Sequence, residues 1–324
     1  MMMKALITAP FAQEAVERLS EYYQVVLRGW GVDRQELSKA ELLASIADFD
    51  VFVSEMEFAD QEVIDAGTNL KVIASVRGTP FNIDHEYAKK KGIISLFAPG
   101  RNAVGVAELT IFLMGELTRK ITTAHCYMKE GKWTEQSEMT YIKFRGEELY
   151  NKVLGLVGLG AIGIKVARIA QAFGMRVQCY DPYLDPAVAK EMDIRLVAEV
   201  EELFATADFV SVHCRITPET TGMIDYELLS RMKPTAYFIN TARSKITKEA
   251  DLIRILQEKK IAGAALDVFD REPIGPDHPL LKLDNCYVVP HIGGATNEVV
   301  VHHSRIITDD LLRFARGEQP VNVL

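Results

Sequence analysis

The feature that most constrains this chain is a set of glycines at a fixed place: Gly158-Leu159-Gly160-Ala161-Ile162-Gly163 directly follows the apolar run KVLGLV and opens the helical pattern IGIKVARIAQAF. Alone the hexapeptide is a weak signal. In a strand-turn-helix unit, however, Gly158 allows the tight turn, Gly160 lets a pyrophosphate approach the backbone, and Gly163 permits close packing of helix on strand. The amides of Ala161 and Ile162 then meet phosphates at a helix N-terminus, whose partial positive charge favours anions. The next strand-like run, MRVQCYD, ends at Asp181, eighteen residues after Gly163. A carboxylate there accepts both ribose hydroxyls of NAD and repels the 2′-phosphate of NADP. No arginine directly follows it to receive such a phosphate. The competing reading makes the glycines mere helix-packing residues and Asp181 a turn residue before Pro182; against it stand strand, fingerprint, helix, strand and acid, all in order.

Short β-rich runs alternate with helical patterns along almost the whole chain, which predicts α/β architecture with parallel sheets and helical crossovers. KALIT, QVVLRG, DVFVS and KVIASV form an early series; KVLGLVGLG, MRVQCYD, DFVSVHC, TAYFIN, IAGAALDVF and CYVVPH form a later one. The later strands are continuously apolar, as expected for a doubly wound sheet covered on both faces. Ser38 and Glu41 fit a capping box and predict a helix over about 38–47. The stretch from Val104 to Trp133 reads as one long helix bridging two domains. Residues 129–150, with Trp133, Tyr141 and Phe144, read as an exposed arm suited to a subunit contact.

A length of 324 residues predicts two domains, and 48% apolar with 25% charged residues leaves little room for long disorder. The net charge of -8 gives no general electrostatic reason to bind nucleic acid or anionic membrane, so any anion must be held locally. MMMKALIT runs straight into a strand-like segment with no export leader, and no apolar run approaches membrane-spanning length, which predicts a cytoplasmic protein. Cys126, Cys179, Cys214 and Cys286 are scattered, without metal-ligand spacing; no metal is expected, and Cys179 reads as core.

Three further residues fall at or just beyond predicted strand ends: Arg243 after TAYFINTA, Glu272 after ALDVFDR, and His291 after CYVVP. Open α/β sheets place their ligands there. Each alone is as well explained by a surface or structural role. Together they suit hydride transfer to a 2-keto acid. Arginine binds a carboxylate through two charge-assisted hydrogen bonds and polarises the carbonyl. Histidine gives a proton to the carbonyl oxygen or takes one from the alcohol, and a neighbouring carboxylate fixes its tautomer.

With these residues in hand, the chain resembles the D-isomer-specific 2-hydroxyacid dehydrogenases over essentially its whole length: VGLGAIG, FINTAR, ALDVFDREP and VVPHIGGAT are similar to that family's signature segments, in their usual order. The resemblance implies that Arg243 orients substrate, that Glu272 pairs with the histidine, and that His291 is the general acid/base. It also implies that Thr241, Ala242 and Asp267 lie near the nicotinamide, that His213 and Cys214 line the cofactor cleft, and that Gly293 and Gly294 close beside it, although a tight turn before a helix near Thr296 explains those glycines equally well. It implies a Rossmann cofactor domain, residues 104–295, inserted into a smaller flavodoxin-like substrate domain, residues 1–103 plus 296–324. It further implies a homodimer joined through the cofactor domains and a small 2-keto or 2-hydroxy acid as substrate. Residues 296–324 read as one helix and a tail, with no room expected for the regulatory domain that many relatives carry there.

The sequence departs from the family in the loop from Ser75 to Asp84, where glycines usually present amides to a carboxylate: Gly78 remains, Arg77 stands in place of another glycine, and Pro80 lacks a donor. Arg77 is expected to read extra negative charge, a second carboxylate or a phosphate; the alternative is that it pairs with a nearby acid to hold the loop. Arg101 is a second candidate for the same task. Arg215 replaces a common proline and faces either the adenine side or solvent. A redox-sensing scaffold is the reading from another class, and a formate dehydrogenase branch is disfavoured by the glutamate.

Overall fold

The computed structural model describes residues 2–136 and 139–324. The chain forms two compact units, residues 1–102 with 295–324 and residues 103–294, each built on one parallel sheet.

In the first unit, β1 (Met3–Ile7), β2 (Tyr23–Leu27), β3 (Val51–Ser54), β4 (Val72–Ser75) and β5 (Ile94–Leu96) lie in the order β2-β1-β3-β4-β5, all parallel. This is the flavodoxin-like order. β3 and β4 are buried along their whole length, because helices cover both faces. Each fully buried Phe or Ile there, such as Phe52 and Ile73, contributes roughly 1.5–3 kcal/mol over leaving it exposed. The last helix, Glu298–Ala315, returns to this unit and packs Ile307 and Leu311 among Ala5, Val51 and Val72. The Tyr23 hydroxyl donates to the Leu311 carbonyl at 2.7 Å, and Val323 forms an antiparallel bridge with Leu96. Ser38 and Glu41 form the expected capping box on the helix Lys39–Ser45.

In the second unit, β6 (Val153–Val157), β7 (Arg176–Tyr180), β8 (Arg195–Leu196), β9 (Phe209–Val212), β10 (Tyr237–Asn240), β11 (Gly263–Leu266) and β12 (Cys286–Val288) lie in the order β12-β11-β10-β9-β6-β7-β8. The chain builds outward from β6 to β8, then returns across β6 and builds the other way from β9. This is the Rossmann arrangement, and the reversal opens a crevice at the carboxyl ends of β6 and β9. Cys179 is fully buried in this core.

The expected long helix from Val104 is two helices, Ala103–Arg119 and Ile121–Lys129. Lys120 breaks it by adopting a left-handed conformation, φ 52°, that the apolar pattern does not signal. Beyond the break, Trp133 is 60% and Tyr141 77% exposed, while Phe144 meets Tyr127 edge-on at 5.3 Å. Ser137 and Glu138 of this arm lie outside the described residues.

Candidate functional site

Because all seven strands of the second unit are parallel, the residues after them share one edge of the sheet. Gly158 follows β6, Asp181 follows β7, His213 follows β9, Arg243 lies just past β10, Glu272 beyond β11 and His291 beyond β12. β10, β11 and β12 are neighbours, about 4.8 Å apart strand to strand.

The glycine turn has three distinct environments. Gly158 has φ 96°, and a Cβ on it would lie 2.7 Å from the Cys214 nitrogen. A Cβ on Gly163 would lie 2.5 Å from the Gly158 carbonyl oxygen, so this glycine lets the helix Ala161–Ala172 close on the turn. A Cβ on Gly160 would meet nothing within 4 Å. Packing therefore explains two of the glycines and leaves Gly160 bordering open space, as a pyrophosphate cradle requires. Ala161 and Ile162 open the helix with no side-chain cap, so their amides are available to an anion. Asp181 Oδ2 accepts from the Leu159 amide at 2.9 Å, and its Oδ1 accepts from the Tyr183 amide at 3.1 Å. Beside Asp181, a groove of about 320 Å³ has walls of Tyr180, Pro182, Leu184, Leu196 and Val197. Arg215 is exposed.

His213 is buried, with its Nε2 2.8 Å from Ser211 Oγ and its Nδ1 without a hydrogen-bond partner among the described residues. Burial holds its imidazole down to about 3, so the ring is neutral. Burial likewise pushes the Cys214 thiol up to about 11, which removes it as a nucleophile. Open space at Gly160, uncapped amides and an orphaned imidazole nitrogen together fit a dinucleotide.

Arg243 is placed by Asn240, a residue the sequence reading left unassigned. The buried Asn240 carboxamide accepts from the Ala242 amide at 3.0 Å through Oδ1 and donates to the Arg243 carbonyl at 3.0 Å through Nδ2. One amide thus clamps both sides of the turn. Thr241 is buried and shares a 3.0 Å hydroxyl contact with Thr110, whose own proton goes to the Val106 carbonyl at 2.8 Å; Thr241 is therefore the donor. The Arg243 guanidinium is exposed, touches the Ala242 carbonyl at 2.7 Å through Nη1, and has no carboxylate within 4.0 Å among the described residues. Asn240 is the last residue of β10, directly before that turn, and nothing in its spacing marks the role.

Glu272 and His291 meet. His291 Nδ1 lies 2.6 Å from Glu272 Oε2, and Glu272 Oε1 accepts from the Phe269 amide at 3.0 Å. A carboxylate can only accept, so Nδ1 carries the proton and Nε2 is the free ring nitrogen. His291 has φ 52°, a left-handed backbone that a non-glycine residue rarely adopts. The buried Asp267 holds the turn behind it, accepting from the Ile292 amide at 2.6 Å and the Gly293 amide at 2.8 Å. Burial raises the Asp267 carboxyl above its usual range, and those two amides oppose the shift. A Cβ on Gly293 would lie 2.8 Å from Asp267 Oδ2; Gly294 follows, half-buried.

In the first unit, Arg77 Nε donates to the Glu55 carbonyl at 2.9 Å, and its guanidinium lies 4.4 Å from the Phe81 ring centroid. The expected alternative, an ion pair between Arg77 and an acid, is not found among the described residues. Arg101 takes that acid instead, with Nη1 2.8 Å from Glu55 Oε1. Gly78 abuts the segment after β5, where a Cβ would lie 3.3 Å from the Ala98 carbonyl.

Residues 111–293 match the model of the D-isomer specific 2-hydroxyacid dehydrogenase, NAD binding domain. The chain is 39% identical over 325 residues to D-3-phosphoglycerate dehydrogenase of Methanocaldococcus jannaschii, covering 100% of this chain and 59% of that protein. It is 35% identical over 322 residues to glyoxylate reductase of Korarchaeum cryptofilum, covering 99% of this chain and 95% of that one. The crystal structure of the TT0316 protein from Thermus thermophilus superposes with a TM-score of 0.82 at 32% identity, covering 99% of this chain and 100% of that one. The chain belongs to the D-isomer specific 2-hydroxyacid dehydrogenase family. It spans about three-fifths of the phosphoglycerate dehydrogenase it matches. Among the described residues no helix is long and apolar enough to cross a membrane, and no group of three or more His, Cys, Asp or Glu could hold a metal ion.

Proposed function

We propose that the protein is an NAD-dependent oxidoreductase that moves a hydride between nicotinamide and C2 of a small D-2-hydroxy acid or 2-keto acid. The observation that carries this reading is the 2.6 Å contact between His291 and Glu272 on the same sheet edge as the glycine turn. NAD bound along that edge would supply or accept the hydride. Gly158, Gly160, Ala161, Ile162 and Gly163 would hold its diphosphate and Asp181 its ribose, with His213, Cys214, Thr241, Ala242, Asp267, Gly293 and Gly294 around the remainder.

In the reducing direction, His291 gives its Nε2 proton to the carbonyl oxygen as C2 becomes tetrahedral, and Glu272 stabilises the imidazolium that serves as donor. Arg243, free of carboxylate partners among the described residues, binds the substrate carboxylate with two N–H groups and draws charge from the carbonyl. In the first unit, Arg77 and Gly78, on the loop after β4, are the proposed substrate-binding residues. The first unit then serves as the substrate domain and the second as the cofactor domain.

The exposed arm with Trp133 and Tyr141 supports a homodimer, and the overall reading fits a cytoplasmic enzyme. The test is oxidation of NADH, followed by absorbance, with glyoxylate, hydroxypyruvate and longer 2-keto acids. Turnover of at least one is expected; turnover of none, with NADH still bound, rejects the reading.

A further inference from the structure

The loop that carries Glu272 has little of its own to hold it. Phe269 and Leu280 are buried in the core at its two ends, while residues 270–279 between them are exposed except for Ile274 and His278, which are half-buried. An exposed segment of this kind has many conformations open to it. Glu272 nonetheless has to place its Oε2 2.6 Å from His291 Nδ1. Its own second oxygen reaches no further than the Phe269 amide, at 3.0 Å.

A second pairing of acid and histidine closes this loop. Glu249 opens the helix Glu249–Gln257, just after the turn that presents Arg243. Its Oε2 accepts from the Asp270 amide at 3.1 Å, on the near side of Glu272. Its Oε1 lies 3.2 Å from His278 Nε2, on the far side. One carboxylate thus grips both ends of the segment from which Glu272 projects. His278 Nδ1 accepts from the Leu280 amide at 3.4 Å, which leaves the ring proton on Nε2 for Glu249. Because Leu280 is fully buried, the grip is anchored through the histidine to the core.

The side chains of Glu249 and His278 are 17% and 21% exposed, against 37% and 48% for Glu272 and His291, so the bracing pair is the better shielded from solvent. The other ties are weak. Lys245 and Asp270 form an exposed ion pair at 3.3 Å, which contributes little, and Ile274 packs only partly against the core. The helix dipole explains an acid in the first turn, yet it does not explain an acid that joins two points on another loop.

We propose that Glu249 is a positioning residue for the proton transfer: by joining the Asp270 amide to His278 it fixes the loop on which Glu272 reaches His291. This rests on the proposed dehydrogenase reading. Glu249 acts through Glu272 and not on the reacting atoms.

The test is a double-mutant cycle read in kcat at saturating NADH, with whichever 2-keto acid the wild type reduces. Glu249→Ala is expected to lower kcat on the order of 10- to 100-fold, as for a misplaced catalytic group, with KM for NADH within about 2-fold of wild type. In a Glu272→Gln background the same substitution is expected to change kcat by no more than about 2-fold, because the residue it positions is already gone. An equal fall in both backgrounds, or an unchanged kcat in Glu249→Ala whatever its Tm, overturns the proposal. Should Glu249→Ala not fold, His278→Ala cuts only the far end of the grip and replaces it in the same cycle, with the same two outcomes.

A second readout needs no substrate. Long-range nitrogen–proton NMR spectra of histidine-labelled protein report the tautomer of each neutral ring, with His291 assigned by its loss in His291→Gln. The wild type is expected to carry the His291 proton on Nδ1, and Glu249→Ala to lose that preference as Glu272→Gln does. If no 2-keto acid is reduced, the dehydrogenase reading fails while this tautomer still decides the positioning. Nδ1 protonation that persists in Glu249→Ala, or is absent from the wild type, rejects it.

Discussion

The Leu159 amide donates to Asp181 Oδ2 at 2.9 Å, so the acid at the end of β7 is tied to the glycine turn that follows β6. One oxygen of the proposed ribose acceptor thereby also sets the shape of the diphosphate loop.

Asp181→Ala is therefore expected to weaken NAD binding by about 10-fold or more, as for a lost hydrogen bond to a charged group, and to shift preference toward NADP. Fluorescence titration with both reduced cofactors measures this. An unaltered ratio of the two affinities would remove Asp181 from the ribose site.

The glycines separate packing from binding. Gly160→Ala is expected to leave Tm nearly unchanged, because the added methyl meets nothing within 4 Å, yet to weaken NADH binding because it projects into the diphosphate space. Gly163→Ala, with its methyl 2.5 Å from a carbonyl oxygen, is expected to lower both, at a cost of roughly 1–3 kcal/mol in stability. Equal NADH affinity in Gly160→Ala and wild type would count against the cradle.

His291→Ala is expected to reduce turnover by on the order of 10²-fold or more while NADH affinity stays within a small factor. Stopped-flow reduction at saturating NADH checks the chemical step directly. Turnover at the wild-type rate would exclude His291 as the proton donor.

Much of this site is legible in the sequence because it is local. A strand, a glycine turn and a helix are contiguous, and strand-end residues such as Arg243 and His291 announce themselves by following apolar runs. The capping box at Ser38 and Glu41 is equally local. What escapes is set by contacts between distant segments or by a single backbone angle. Nothing near Lys120 signals a left-handed residue within an apolar helical pattern, and β8 is two residues long, too short to show alternation. Asn240 looks like an ordinary strand end until the turn folds back on its carboxamide. Which of Arg77 and Arg101 pairs with an acid depends on where the Glu55 side chain goes, and no spacing along the chain encodes that.

Stability should fall in acid through His303, which is 1% exposed. Burial holds its imidazole down to about 4, with Arg101 and His302 reinforcing and the Pro10 carbonyl and Glu55 opposing. A histidine whose folded pKa lies below its unfolded value of about 6.5 stabilises the fold fully above that value and loses the contribution as pH falls toward the folded one. The loss amounts to roughly 3 kcal/mol between those limits. Urea midpoints from pH 7 to 4 should decline less steeply in His303→Gln; parallel declines would assign the acid sensitivity elsewhere.

If the exposed aromatic arm forms the dimer contact, Trp133→Ser combined with Tyr141→Ser should shift sedimentation from dimer to monomer at micromolar concentration. A wild-type protein that sediments as a monomer, or a double variant that stays dimeric, would place the contact elsewhere or remove it.

The seating of the last helix against the first strands has a consequence for biosynthesis. Ile307, Leu311 and the Leu311 carbonyl that receives Tyr23 are made after the whole of residues 103–294. As the chain leaves the ribosome, the amino-terminal sheet must wait with one flank uncovered while the later-made insert completes its own sheet. The segment synthesised first is thus the one finished last, and its open hydrophobic flank is where a chaperone would be needed.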